Sequence, residues 1–219
     1  KKEQIKQIIR DFHINDNFDV KTRALQPPID TKKIITLIGV RRCGKTSILY
    51  DMINQLSSDI EKTKILFLNF EDERLELEVD ELDLVLQSFS ELYPEQDLKE
   101  CYFFFDEIQN ITGWEKFVRR IYDSISKNIF ITGSNSKLLS SEIATSLRGR
   151  TLSYEVFPLS FSEYLSFKDI EVDLYSSKSL AHIKNAQESF LKNGAFPETL
   201  FLEEQYVNQT LQEYFNVLL

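Results

Sequence analysis

The 219-residue sequence has only two cysteines, five prolines, six glycines, one tryptophan and one methionine. Cys43 and Cys101 lie far apart and fit neither a zinc-ligand spacing nor a stapled secreted scaffold, so a reducing, intracellular compartment is expected. With so little glycine and proline and so few cysteines in an ordinary globular composition, a wholly disordered, collagen-like or disulfide-scaffold protein is excluded. No apolar run approaches the ~20 residues that a membrane-spanning helix needs; the longest are of the kind seen in IITLIGV at 34–40. Basic residues are outnumbered, 26 Lys and Arg against 35 Asp and Glu, and the net charge of −9 argues against a surface wholly given to nucleic acid or anionic membrane. A local basic patch is compatible with that balance, so DNA stays open as a partner without support from net charge. These exclusions predict a soluble cytoplasmic protein with no membrane partner.

What is present is a globular composition, 42% hydrophobic and 28% charged with 17 Phe, enough for one large domain or one plus an appendage. Short runs rich in Ile, Leu, Phe and Val at 32–39, 63–70, 101–108, 127–133 and 151–157 suit strands buried on both faces of a parallel sheet. Segments 46–56, 81–92 and 114–125 repeat apolar residues at three-to-four spacing, as do Ile5, Ile8, Ile9 and Phe12 near the start. Alternating strands and helices predict an α/β sandwich whose ligand crevice lies at the carboxyl ends of the strands. After Phe157 the strand pattern ceases. The expected division is a core over 1–157 with an N-terminal helix, and a small helical lid or the start of a second domain over 158–219. Tyr206, Val207, Leu211, Phe215 and Leu218 form a helical pattern without a closing signal. The segment is therefore expected to be cut short, with a further domain of the same chain to follow.

Three motifs fall where such a sheet would gather them. Gly39-Val40-Arg41-Arg42-Cys43-Gly44-Lys45-Thr46 satisfies GxxxxGKS/T between a strand and an amphipathic helix, the setting in which backbone amides and the helix dipole receive a phosphate. Lys45 would bridge the β- and γ-phosphates, the Thr46 hydroxyl would hold Mg²⁺, and Ser47 follows on the same turn. Asp106 and Glu107 end an apolar strand; Asp106 would hold Mg²⁺ directly or through water, and Glu107 would orient or deprotonate the attacking water. The fourth strand ends Thr132-Gly133-Ser134-Asn135, so Asn135, or Ser134 if the turn is rotated, can sense the γ-phosphate; a helix N-cap is the plainer alternative. Arg148 and Arg150 flank Gly149 before the fifth strand, where an arginine can stabilise transferring phosphoryl charge in its own chain or across a subunit contact. Arg41 and Arg42 can meet nucleotide, a neighbouring subunit or solvent-exposed carboxylates. Cys43, on a phosphate loop at a helix start, is expected to be a reactive thiol. His13, His182 and Trp114 read as surface or packing residues, and the acidic 71–78 stretch as a solvated edge.

With GVRRCGKT, FFFDEIQ, ITGWEKFVRRIYD, FITGSNSKLLS, LRGR and EVFPLSFSEYL all in view, the chain resembles the AAA-type ATP-binding proteins of bacteria and archaea that carry a C-terminal domain of unknown function, close to the signal-transducing and archaeal-type ATPases. The resemblance implies a P-loop NTPase three-layer sandwich with a parallel five-stranded sheet in the order 5-1-4-3-2, followed by a helical lid or winged-helix-like segment. It further implies ATP and Mg²⁺ as cofactors and a following domain distantly similar to nucleases. Its phosphate loop falls on Gly39, Gly44, Lys45 and Thr46, with Arg42 and Cys43 between them, its acidic motif on Asp106 and Glu107, its sensor on Ser134 or Asn135, and its Gly-Arg element on Gly149 and Arg150. Asn193-Gly194-Ala195-Phe196-Pro197-Glu198 resembles a turn that lies near the adenine in related ATPases, which places Pro197 among the nucleotide contacts.

The expected function is Mg²⁺-dependent ATP hydrolysis coupled to conformational change, with Asn135 reporting the γ-phosphate to the lid. The alternative is a nucleotide-dependent binding switch with slow turnover, acting on a protein, DNA or the following domain. A small-molecule kinase also uses a phosphate loop, but a kinase must exclude water, and Glu107 is placed to activate it. A homo-oligomer is a further expected partner arrangement.

Overall fold

The computed structural model describes residues 1–15, 17–134 and 145–218, with the backbone alone for 204, 217 and 218. The chain forms two compact units, one made of Lys1–Thr22, Gln26–Gly39 and Lys45–Glu155, the other of Arg23–Leu25, Val40–Gly44 and Val156–Leu219. The middle of the GxxxxGKS/T motif thus groups with the C-terminal segment, a division finer than a boundary at 157.

In the first unit, strands β1 (Ile34–Ile38), β2 (Ile65–Asn69), β3 (Tyr102–Asp106), β4 (Ile129–Gly133) and β5 (Thr151–Glu155) form one sheet in the order β2-β3-β4-β1-β5. Every pairing is parallel, so the order expected from the resemblance is the order observed. The apolar runs become strands because both faces are covered. Leu66, Leu68, Phe103, Phe105, Ile129 and Ile131 share one core with α3 (Asp83–Leu92) and α4 (Trp114–Ser124). On the other face, alternate side chains such as Phe104 and Phe130 stack with centroids 4.4 Å apart, a contact worth ~1 kcal/mol beyond burial. Helix α2 (Lys45–Ser57) buries Ile48, Leu49, Met52 and Ile53, and its Tyr50 packs on Phe67.

Helix α1 (Lys2–Ile14) buries Ile5, Ile8, Ile9 and Phe12, the positions its spacing predicts, against α3 and β2. His13 there bonds Tyr93 at 2.5 Å and the Ile65 carbonyl at 2.8 Å, a packing role, and burial holds its pKa below the ordinary value. Trp114 is core. In the acidic stretch, Leu75 and Leu77 are buried while Arg74 pairs with Asp72 and Asp11.

In the second unit, α5 (Phe161–Phe167), α6 (Ser177–Asn193) and α7 (Glu204–Leu218) accompany a 3-10 turn over Pro197–Leu200. Leu159, Tyr164, Leu165, Phe167, Ala186 and Leu200 form its core. Helix α5 starts at a capping box in which Ser160 and Glu163 satisfy each other's backbone amides, a signature readable in the sequence Ser160-Phe161-Ser162-Glu163. Among the described residues this segment is helical and has no strand to form a wing.

Candidate active site

Because the five strands are parallel and in register, their carboxyl ends line one edge of the sheet, and the first unit brings its polar residues together there. Strand β3 delivers Asp106 at its last position, 1% exposed, with both oxygens engaged: Oδ1 accepts from Thr132 Oγ1 at 2.5 Å and Oδ2 from Thr46 Oγ1 at 2.8 Å. Burial raises the Asp106 pKa, against the opposing effect of those two hydroxyls. A hydroxyl and a carboxylate oxygen within hydrogen-bonding distance are the hard donors that a small octahedral cation takes from a protein, its remaining positions filled by water and phosphate. Positive charge there would also offset the burial of the carboxylate. Thr46 and Asp106 therefore fit Mg²⁺.

The chain turns sharply after β3 because Glu107 adopts a left-handed conformation, φ 51°, uncommon for a residue with a side chain. Its amide donates to Thr132 Oγ1 at 2.9 Å, which holds the turn. Such strain costs ~1–3 kcal/mol and concentrates at functional positions. The Glu107 carboxylate, in a residue 7% exposed, lies 3.3 Å from Lys45 Nζ through Oε1. Its Oε2 accepts from Ser134 Oγ and Gln109 Nε2, both at 2.5 Å. Burial pushes its pKa up, but the Ser134 hydrogen bond, the Lys45 charge and Gln109 outweigh that and hold it below the ordinary value, so it is an ionised acceptor at neutral pH. Lys45 also donates to the Gly39 carbonyl at 3.1 Å, so a buried ammonium joins the two ends of the phosphate loop's own motif.

In the second unit, Val40–Gly44 is shaped by backbone conformations that only certain residues tolerate. Arg42 is left-handed, φ 65°, and Gly44 has φ 98°. A Cβ at Gly44 would lie 3.1 Å from Arg23 Nη1, so glycine serves both the backbone and the space. That Arg23 is buried: Nη1 donates to the Cys43 carbonyl at 2.7 Å, Nη2 to the Phe157 carbonyl at 3.0 Å, and Nε to Glu163 Oε1 at 2.7 Å. Glu163 also accepts from the amides of Ala24 at 3.0 Å and Ser160 at 2.8 Å. Burial pushes its pKa up, yet Arg23 and those amides bring it down to about 2. Arg42 donates to Glu198 at 2.8 Å and to the Tyr214 hydroxyl at 3.1 Å, with its guanidinium 4.8 Å from the Tyr214 ring centroid.

Residues 31–165 match the family profile described as AAA domain. The chain belongs to the AAA domain family. Nucleotide binding and hydrolysis is the general activity of such a domain. An uncharacterized protein of Methanocaldococcus jannaschii, MJ1544, is 43% identical over 218 residues, covering 95% of this chain and 47% of its own. An uncharacterized protein of Haemophilus influenzae is 35% identical over 188 residues, 85% of this chain and 45% of its own. The chain thus spans about half the length of these relatives. Among solved structures, that of C. elegans PCH-2 aligns over 99% of this chain and 67% of its own with a TM-score of 0.48 and 15% identity.

In this AAA domain the structure brings together Lys45, Thr46, Asp106, Glu107 and Ser134, with the Gly39 carbonyl; Ser47 lies in the first turn of α2. Asn135 lies outside the described residues. Arg150 is not gathered with them. It precedes β5, at the amino edge of the sheet, about 16 Å of strand away from the carboxyl edge, and its guanidinium grips Asp123 at 2.9 and 3.1 Å. Within its own chain the length of β5 separates Arg150 from those residues. Cys43 is fully buried, which corrects the expectation of a reactive thiol: solvent reagents do not reach it. Pro197 opens the 3-10 turn of the second unit, its Cγ 3.7 Å from where a Gly44 Cβ would stand. Sequence reasoning missed Thr132 as the bridge between the two acidic residues, Gln109 on Glu107, and Arg23. Thr132 was the findable one, a β-branched hydroxyl one residue from the end of a strand adjacent to β3.

Among the described residues no helix is long and apolar enough to cross a membrane.

Proposed function

We propose that this chain binds ATP with Mg²⁺ and hydrolyses it, with Glu107 as general base, and that the cycle drives a conformational change. The observation that supports this reading is the mutual engagement of Lys45, Thr46, Asp106 and Glu107, all held at one sheet edge. Lys45 meets the β- and γ-phosphates, exchanging its contact with Glu107 for them. Thr46 and Asp106 hold Mg²⁺, which when bound supplies positive charge against the phosphates. Glu107 takes a proton from water as the water oxygen bonds to the γ-phosphorus and the bond to the β,γ-bridging oxygen breaks, giving ADP and phosphate. Ser134, with Asn135 after it, senses the γ-phosphate. Arg150 acts across a subunit contact in a homo-oligomer. Further sequence of the same polypeptide receives the output, in keeping with relatives about twice as long.

A second reading, a binding switch with slow turnover, is favoured by one feature: Glu107 is engaged on both oxygens, by Lys45, Ser134 and Gln109. Calorimetric titration with ATP, with and without Mg²⁺, tests the site itself. Lys45→Ala is expected to weaken ATP binding roughly tenfold or more under both conditions, and Thr46→Ala to remove the gain that Mg²⁺ gives. Unchanged affinity in both variants would contradict the assignment.

A further inference from the structure

We propose that Gln109 positions the attacking water together with Glu107, an inference that rests on the reading of Glu107 as base. Gln109 sits in the 3-10 turn Ile108–Asn110, which is fixed from three sides. The Asn110 amide donates to the Glu107 carbonyl at 3.1 Å, the Asn110 side chain donates to the Phe70 carbonyl at 3.2 Å, and Ile108 is fully buried. The turn therefore holds the Gln109 side chain in a defined place beside the carboxylate, and Nε2 donates to Glu107 Oε2 at 2.5 Å and lies 3.4 Å from Ser134 Oγ.

Chemistry fixes which end of the carboxamide faces Glu107. A reversed amide would set its oxygen 2.5 Å from a carboxylate oxygen, two acceptors with no proton between them. Oε1 is therefore an acceptor on the other side of the same planar group. It is buried, and among the described residues it has no hydrogen-bond donor. A buried acceptor left without a donor is costly, and native sites tend to complete it.

A water molecule completes it with the chemistry that the site needs. One of its O–H groups points to the Glu107 carboxylate, the other to Gln109 Oε1, and an oxygen lone pair is left to meet phosphorus. The first proton passes to Glu107 as the new P–O bond forms and the bond to the bridging oxygen of ADP breaks. The second stays on the oxygen and leaves with phosphate. Gln109 thus exchanges no proton, as suits a carboxamide, and its donor end keeps Glu107 aimed while its acceptor end fixes the water.

The test uses the full chain and Gln109→Met, which has similar length with neither donor nor acceptor, alongside Gln109→Ala. ADP and Mg²⁺ are titrated with and without aluminium fluoride, whose complex mimics the transferring phosphoryl group with its in-line water. The expected result is ADP affinity and melting temperature unchanged, affinity for the aluminium fluoride complex weakened roughly tenfold, and turnover reduced by roughly 10- to 100-fold. On a Glu107→Gln background, adding Gln109→Met is expected to cost little more, because the two act on one water. Analogue affinity and turnover within twofold of the parent in both variants would overturn the proposal, as would parallel loss of ADP and analogue binding, which would mark Gln109 as a support of the loop alone. A parent chain that binds neither ATP nor ADP would instead overturn the reading of the whole site, and the proposal with it.

Discussion

Two buried cation–carboxylate pairs stand in the two units, and they are built differently. In the second unit Arg23 grips Glu163 at 2.7 Å, also donates to two backbone carbonyls, and faces a carboxylate that accepts from two amides as well. In the first, Lys45 reaches Glu107 through one oxygen at 3.3 Å and also donates to the Gly39 carbonyl. A guanidinium fork fixes geometry, whereas an ammonium is a point charge on a flexible stem. The Arg23–Glu163 pair is thus locked from several directions and holds a turn, while Lys45–Glu107, under the proposed function, is the pair that would exchange partners on phosphate binding.

The largest effect is expected from removing the guanidinium fork. Arg23→Ala removes the guanidinium from the buried Glu163 carboxylate and Cys43 carbonyl and from the part-buried Phe157 carbonyl, and is expected to cost about 3–5 kcal/mol in urea unfolding; Arg23→Lys should recover only part, since one ammonium cannot serve all of them. A loss no larger than that of a surface pair would show that Arg23 does not hold this segment.

A smaller effect distinguishes the pairs by acid. The Glu163 carboxyl is held from its ordinary 4.5 down to about 2. A group lowered on folding stabilises the fold above its unfolded pKa, and that stability is lost as pH falls toward the folded value. Melting temperature should therefore drop between about pH 5 and pH 2 more steeply in the parent than in Glu163→Gln. Equal slopes would contradict the pairing.

The smallest effect is expected at the amino edge. Arg150→Ala breaks an exposed pair with Asp123, so melting temperature and turnover of dilute, single chains should stay unchanged. If turnover per chain rises with protein concentration in the parent and not in the variant, Arg150 acts across a contact between copies; a flat dependence in both would contradict that role.

The fold was legible because each strand is a short apolar run buried on both faces and each helix repeats at its own period; Phe103 to Phe105 and the Ile5, Ile8, Ile9, Phe12 stripe read directly. The site was legible where chemistry is local in sequence, as in Gly39 to Thr46 and the Asp106-Glu107 pair. It was not legible where partners lie far apart. Arg23 and Glu163 are 140 positions distant, and nothing in either neighbourhood specifies the other. Gln109 was hidden by the left-handed turn at Glu107, which folds a side chain two residues on back over its own carboxylate. The place of Arg150 was not legible because nearness to a strand in sequence does not say which end of a parallel strand a residue occupies, and Arg150 stands before the first residue of β5.

Whether Glu107 is the base of an ATP-hydrolysing site is decided by steady-state phosphate release from ATP with Mg²⁺ in the parent and in Glu107→Gln, with ATP affinity measured on both. In Glu107→Gln, affinity is expected to be retained and turnover lowered by roughly 100-fold or more. Turnover undiminished in the variant would contradict that role.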